Sequence, residues 1–460
     1  MTSLWDSLAP SRAAAATLHD RSGSVSLSDL AAGSTLAGAL ESLRGSSVLI
    51  AAVEQLPAAM ALLELDGVAR RMVLCTPDLN PRQLTAVAAT AQAAAVVLDS
   101  APAVDSPAAL TQCLVTPRPI PAAIRRRSSE ITEWILLTSG TTGAPKLVVH
   151  TLSSLAGTLP REPAARGRSV WSTFYDIRRY GGLQIYLRAM LSGTSLVLSS
   201  PGESTRDFFT RAAAAGVTHI SGTPSHWRRA LMSGDAALLT PEYVRLSGEV
   251  ADQSLLDNLR VVYPQARIAH AFASTEAGVA FEVNDGIAGF PAGFINNAHG
   301  NIDLKIEDGT LRIRSSRNAA RYLGAARNVV ASDDGYVDTG DMVELVEGRY
   351  YFRGRKGGII NVGGFKVYPE EVESVLNADP RVRMSLVRAR RNPITGAVVV
   401  ADVVLAEPAN AAGPDTTDRL KIELLDACRR TLPAHKVPAM LHFVPALELN
   451  AAGKLVRPNA

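Results

Sequence analysis

The stretch LLTSGTTGAPKLVVH, residues 136–150, decides how this chain reads. An apolar run, Trp134 to Leu137, delivers a loop dense in hydroxyls and glycines. Beside Thr138, the residues Ser139, Thr141 and Thr142 supply O–H donors, while Gly140 and Gly143 let backbone N–H groups approach an anion closely. Lys146 adds a point charge. The loop reads as a phosphate cradle, but not as a Walker loop: it lacks the glycine-lysine-serine/threonine ending, and Pro145 precedes the lysine. A flexible Gly/Thr turn would account for the glycines, though not for the whole string.

Upstream, the pattern alternates between strand and helix. Residues 48–53 and 72–75 predict strands, 56–65 and 81–95 helices, and 95–99 a further strand, which together make a βαβ unit with a mainly parallel sheet. The proline-bearing stretch 101–127, ending in Arg125, Arg126 and Arg127, reads as a connecting loop. Downstream a second βα run has strands at 169–174, 195–198, 217–221 and 267–272, with helices at 206–215 and 254–263. Turns at Asp308-Gly309, Asp334-Gly335 and Glu347-Gly348 then separate short strands, an antiparallel meander.

The style changes again after Arg355. Pro369 sits where a first helical residue belongs, with Glu370 and Glu371 behind it and Val372, Val375 and Leu376 as an apolar stripe. Strands follow at 384–388 and 397–405, then a loop at 407–415, then an amphipathic helix on Leu420, Leu424, Leu425, Cys428 and Leu432. The expected fold class is α/β. A large N-terminal domain of βα-layered sheets plus a small β-meander or barrel, residues 1–353, precedes a hinge at 354–358 and a small mobile α+β C-terminal domain at 359–460.

Composition excludes several classes. The 460 residues are 47% hydrophobic and 20% charged, the balance of a folded chain with a large core and not of a disordered one. A formal net charge of +3, with no basic stripe among aromatics, argues against nucleic acid. Cys75, Cys113 and Cys428 lie too far apart for a zinc knuckle or redox motif, and Cys428 reads as a small buried hydrophobe. The start shows no leader pattern, and no apolar stretch is long enough for a membrane span. A cytoplasmic protein is the expectation.

TSGTTGAPK resembles the phosphate loop of the adenylate-forming superfamily, which includes acyl- and aryl-CoA ligases, peptide-synthetase adenylation domains and beetle luciferases. Further segments resemble that family's motifs in its order: HAFASTEAG (270–278), YVDTGD (336–341), GRKGGIINVGGFKVYPEEVE (354–373) and LNAAGKLVR (449–457). The resemblance implies an ATP- and Mg²⁺-dependent acid–thiol ligase that makes an acyl-adenylate and then a thioester. It implies that Thr138, Ser139, Gly140, Thr141, Thr142, Gly143 and Lys146 hold the phosphates. Thr275 would bond the α-phosphate, Glu276 would hold Mg²⁺, and Asp341 would take the ribose hydroxyls with Arg355 nearby. Ala271, Phe272 and Ala273 would border the adenine.

The same resemblance makes Lys454 the catalytic lysine, swung in between the acid's carboxylate and the α-phosphate. Tyr180, Gly181, Gly248 and Ala271 are its candidate acid pocket. Gly182, Gly222 and Ser247 adjoin that group, and Arg178 and Arg179 are a possible pair for a second carboxylate or, more simply, a solvated pair. Gly363, Gly364 and Lys366 match the segment presented to the pantetheine arm, and Gly357 takes the hinge position. The chain departs from the family's pattern at Leu147, Phe272, Ala273 and Gly357. An aryl or medium-chain acid with CoA is the expectation. A carrier protein's phosphopantetheine in trans is the close alternative, and a non-catalytic binding protein on this fold is a second; the basic residues Lys421, Arg429 and Arg430 suit an acidic carrier, the CoA nucleotide or neither.

Overall fold

The computed structural model describes residues 3–8, 16–36, 38–100, 110–121, 128–138, 145–157, 159, 169–295, 302–324, 329–393, 395–406, 414–450 and 453–457. Two large sheets form the body. The first has seven strands in the order Arg321–Leu323, Lys146–Thr151, Glu133–Thr138, Arg71–Leu74, Ser47–Ile50, Ala95–Leu98 and Thr111–Leu114. Its strands from 133–138 outward to 111–114 pair in parallel, while 146–151 folds back antiparallel on 133–138. The second has eight strands in the order Gly278–Val283, Arg267–Ser274, Tyr243–Ser247, His219–Gly222, Val170–Thr173, Ser195–Leu198, Thr17–His19 and Ser24–Ser26.

Helices Gln55–Leu65 and Tyr180–Ser192 share one core cluster with strands of both sheets. That placement explains why 55–65 is apolar on every face instead of one stripe, since nearly all its residues are buried. Tyr186 links the two helices by donating its hydroxyl to the Ala59 carbonyl at 2.7 Å.

A five-stranded antiparallel sheet, Phe290–Pro291, Arg349–Arg355, Val337–Val346, Thr310–Ser315 and Ile302–Glu307, packs Phe281, Phe290, Leu304, Leu311 and Ile313 into its own core. The small C-terminal domain builds a separate core from Val372, Leu376, Val399, Leu424, Cys428 and Leu441. It comprises the hairpin Ile360–Val362 and Phe365–Val367, helices Pro369–Asn377 and Pro414–Thr431, and three strands, Val382–Asn392, Gly396–Leu405 and Met440–Phe443. The α/β class and this division into a large N-terminal and a small C-terminal domain match the sequence reading. Cys75, Cys113 and Cys428 are free and buried. Among the described residues no helix is long and apolar enough to cross a membrane.

Three local readings need correction. The supposed connecting loop 101–127 contains the strands Thr111–Leu114 and Ile120–Pro121; 111–114 lies at a sheet edge, where only Cys113 turns inward, so it shows no apolar run. The helix expected over 81–95 stops at Ala91, because Gln92 turns left-handed at φ 51°. Residues 414 and 415 belong to a helix rather than a loop, while 407–413 lie outside the described residues. Helices Tyr180–Ser192 and Pro224–Met232 have no counterpart in the sequence reading. Gly181 and Gly182 mask the first, yet Gly182 is required: a Cβ there would sit 2.3 Å from the Asp176 carbonyl oxygen. Thr223 caps the second and Pro224 opens it.

Candidate active site

Two paired strands flank residues 139–143, the segment that the sequence reading assigns to the phosphates. Thr138 and Lys146 stand directly opposite one another where the strands 133–138 and 146–151 meet. Ser139, Gly140, Thr141, Thr142 and Gly143 lie outside the described residues. The Lys146 ammonium lies 5.5 Å from the ring centroid of Tyr322, which the edge strand 321–323 sets beside Val148. Tyr322 in turn donates its hydroxyl to Glu276 Oε1 at 3.4 Å. Its own pKa is pushed up to about 12, first by burial and then by Glu276, so the phenol stays a donor.

His150 ties the two sheets together at this point. Its Nε2–H donates to the Thr275 carbonyl at 2.7 Å, and Nδ1 meets Ser154 Oγ at 3.0 Å. Burial holds its pKa near 4, which keeps the imidazole neutral. The Glu276 carbonyl also accepts from Ala319 N at 2.8 Å. Lys146, Thr275 and Glu276, distant in sequence, are thereby fixed on one rim.

Asp341 faces Arg355 across the pair 337–346 and 349–355, and Arg355 Nε donates to Asp341 Oδ1 at 3.2 Å. Burial raises the carboxyl's pKa while Arg355 opposes it. Arg355 is largely exposed, so this pair contributes little to stability and leaves the guanidinium accessible. Phe272 stacks on Phe352 at 5.0 Å and Phe281 at 5.8 Å, presenting an aromatic wall. By strand alternation Ala271 and Ala273 point to the opposite face, toward helix 180–192.

Lys454 arrives from the C-terminal domain and is docked on the large one. Thr223 Oγ1 donates to the Gly453 carbonyl at 2.8 Å, and Glu249 accepts from Leu455 N at 3.1 Å and from Ser225 N at 2.9 Å. The Lys454 side chain lies against Gly248, its Cε 3.2 Å from where a Cβ of that glycine would be. Gly248 adopts φ +87°, so glycine is needed there both for the turn and for the space. Burial depresses the lysine's pKa, and Arg355 and Arg179 add to this against Glu249 and Asp341. The Lys454 side chain thus lies within reach of the charges of Glu249, Arg355, Asp341 and Arg179.

Tyr180 and Gly181 open helix 180–192; Gly181 lies against the Tyr175 ring, whose hydroxyl donates to the carbonyl of Ser247, the neighbour of Gly248 and the register partner of Ala271, at 2.6 Å. The Tyr180 hydroxyl lies 3.2 Å from where a Cβ on Gly278 would stand. Arg178 is not part of a solvated pair. It is 1% exposed, its Nη2 binds Asp176 Oδ2 at 2.6 Å, and its guanidinium also donates to the Ala52 and Val53 carbonyls, a structural clasp. Arg179 pairs with Asp78 at 2.8 Å.

Gly363 and Gly364 take φ +58° and +90° and, with Lys366, are exposed; their N–H groups donate to Thr395 O and Asn361 Oδ1 inside the C-terminal domain. Gly357 is exposed in a short turn, Lys356–Gly358. The residues that sequence reasoning misses are Tyr322, His150, Thr223, His226 and Glu249. Only Thr223 carried a visible signal, the Thr-Pro start of a helix.

The family model described as AMP-binding enzyme matches residues 32–315, and the model described as AMP-binding enzyme C-terminal domain matches residues 371–454. A probable nonribosomal peptide synthetase of Salinispora arenicola is 29% identical over 431 residues, 87% of this chain but 5% of that protein. A 2-succinylbenzoate–CoA ligase of Bacillus subtilis is 26% identical over 347 residues, 71% of this chain and 68% of that protein. Among solved structures, an anthranilate CoA ligase in complex with anthranoyl-AMP has a TM-score of 0.80 at 17% identity, covering 98% of this chain and 95% of that one. An amide bond synthetase from Marinactinospora thermotolerans has a TM-score of 0.78 at 19% identity, covering 98% and 96%. These two likenesses show a shared fold.

Proposed function

Because this chain belongs to the AMP-binding enzyme family, we propose that it activates a carboxylic acid with ATP and transfers the acyl group to the thiol of CoA. The observation that supports the reading is Lys454 docked against Gly248 beside Thr223 and Glu249, close enough to Asp341 and Arg355 for their charges to act on it.

In the first step the acid's carboxylate, already ionised at neutral pH, attacks the α-phosphorus in line. An acyl-oxygen–phosphorus bond forms, the bond to the bridging oxygen breaks, and pyrophosphate leaves with its electron pair. Two anions must approach each other. Lys454, positively charged and partly withdrawn from water, offsets that repulsion more strongly than a solvated lysine would. Thr138, Lys146 and residues 139–143 hold the phosphates, Thr275 bonds the α-phosphate, and Asp341 and Arg355 take the ribose on the face of Phe272, whereas Ala271 and Ala273, on the other face of that strand, border the acid instead.

Glu276 fits Mg²⁺ as a single hard oxygen ligand. Among the described residues no group of three ligating side chains exists, so such an ion would share its coordination with the ATP phosphates and neutralise their charge. In the second step a thiolate attacks the acyl carbon and AMP leaves. Rotation of the C-terminal domain, residues 359–460, about the hinge 354–358 would exchange Lys454 for Gly363, Gly364 and Lys366.

The names of the relatives, and the small residues around Ala271, favour an aryl acid. A carrier protein's phosphopantetheine presents the same thiol and is the alternative acceptor. The test is acid-dependent ATP–pyrophosphate exchange over benzoates, cinnamates and fatty acids, followed by CoA addition. Exchange with no acid in folded protein would overturn the enzymatic reading in favour of a binding role on this fold.

A further inference from the structure

The segment that carries Lys454 is held from two sides. The Asn450 carbonyl accepts from Gly453 N at 2.8 Å and Leu449 bridges Leu455, so the chain turns back on itself around the left-handed Gly453. Toward the large domain, Gly453 meets Thr223 and Leu455 meets Glu249. Toward its own domain, beyond that turn, the polar contacts of residues 453–457 come down among the described residues to one side chain, Arg457. Lys454 and Arg457 stand three positions, about 10 Å, apart on an extended stretch and face opposite ways.

Arg457 meets a rigid acceptor. Glu370 and Glu373 are three residues apart on helix 369–377 and so share one face of it. Arg457 binds Glu373 as a fork, Nη1 donating to Oε1 at 2.8 Å and Nη2 to Oε2 at 2.7 Å, while its Nε lies 3.6 Å from Glu370 Oε1. Glu373 is 5% exposed, and its Oε1 also accepts from Val387 N at 2.8 Å, which ties the carboxylate to strand 382–392. A planar fork on a buried carboxylate fixes direction as well as charge, which a single-point contact does not. Glu370 extends the link. Its carboxylate occupies the place where a Cβ of Gly354 would stand, and Gly354, at φ +123°, opens the stretch 354–358 proposed as the hinge. Glu370 Oε2 is buried without a hydrogen-bond partner among the described residues, so its position depends on packing and on the Arg457 charge.

We propose that Arg457 is the positioning residue for Lys454: by clasping Glu373 and Glu370 it fixes the lysine's segment to helix 369–377, whose first turn rests on Gly354, so that the lysine and the hinge side of the domain move as one piece. The effect on exchange rests on the acid-activating reading above; the placement of the lysine does not. On this proposal Arg457 touches no reacting group and acts through Lys454.

The test uses the full chain with Arg457→Gln, Arg457→Lys and Glu373→Gln, and reads the lysine directly. Labelling with acetic anhydride, followed by mass spectrometry, compares Lys454 with the exposed Lys356 and with Lys436, which pairs with Glu371 on the same helix at 2.6 Å and reports the fold. Lys454 should label slowly in wild type and at least fivefold faster in Arg457→Gln, with Lys436 unchanged. In acid-dependent pyrophosphate exchange kcat should fall about tenfold while KM for ATP changes less than about twofold. Lys454 faces Glu249, Asp341, Arg355 and Arg179, and burial holds its pKa low; freed to water it keeps its proton to higher pH, so the alkaline fall of exchange should move up toward 10.5. Arg457→Lys, which keeps the charge and loses the fork, should stand between wild type and Arg457→Gln. Glu373→Gln should repeat the Arg457→Gln changes, and combining the two should add nothing. Unchanged labelling of Lys454 in Arg457→Gln, equal acceleration at Lys436, or additive effects of the two variants would each overturn the proposal. If wild type exchanges with no acid, the acid-activating reading falls and the labelling still decides on Arg457.

Discussion

Two glycine-bearing segments connect the C-terminal domain to the large one, and their surroundings are opposite. At Gly453 there is no room: a Cβ would lie 1.9 Å from the His226 ring, and the residue holds φ +69°. At Gly357 a Cβ would meet nothing within 4 Å. The first glycine is a fitted contact and the second a free joint. The difference teaches that the C-terminal domain is fitted closely where Gly453 meets the large one and is unconstrained by packing at Gly357, the position proposed as its hinge.

Breaking the grip should cost most. Lys454→Ala is expected to lower acid-dependent pyrophosphate exchange by about two to three orders of magnitude. Thioester formation from supplied acyl-adenylate should stay within a few-fold, and equal loss in both assays would contradict the lysine's role. Gly453→Ala comes next, at tenfold or more in exchange, since the added methyl meets both the ring and an unfavourable φ. Adding His226→Ala should return part of that loss by opening the space; no recovery would place the defect in the backbone alone.

Changes at the joint should act on the other half-reaction. Gly357→Pro is expected to leave exchange nearly intact and slow thioester formation at least tenfold, while Gly357→Ala should alter either step less than twofold. Unchanged thioester turnover in the proline variant would put the joint elsewhere.

The smallest effect is one of pH. The lysine works as a cation and its pKa lies below the ordinary lysine value because of burial, so exchange should fall as pH rises through that lowered pKa. A pH profile that stays flat to the ordinary value of 10.5, or an identical profile in Lys454→Arg, would show that this group is not the one observed.

Much of the fold was legible because its signals are local. The alternation from 48 to 99 needs only residues that pack on their sequence neighbours' strands, and Pro369 with Glu370 and Glu371 announces its helix without any partner. The helix 180–192 stayed hidden because its glycines answer neighbours that the pattern does not show, Tyr175 for Gly181 and Asp176 for Gly182. Candidate residues fared similarly. Asp341, Thr275 and Glu276 stand in recognisable strings, whereas Tyr322 sits on a three-residue edge strand and matters only because folding sets it beside Lys146 and Glu276. Arg178 shows the reverse error: an arginine pair reads as solvent-facing, yet burial is decided by the carbonyls of residues 52 and 53, far away in sequence.

The contact between Lys454 and Gly248 has a consequence for timing. The side chain rests on the Gly248 turn, one of the positions proposed for the acid, and is itself withdrawn from water. On the proposed reading, acid and nucleotide would have to be aboard before that contact forms, and the adenylate would be held until it breaks. The same withdrawal that admits the thiol would then also open the exit, making transfer a race between the incoming thiol and escape of the intermediate.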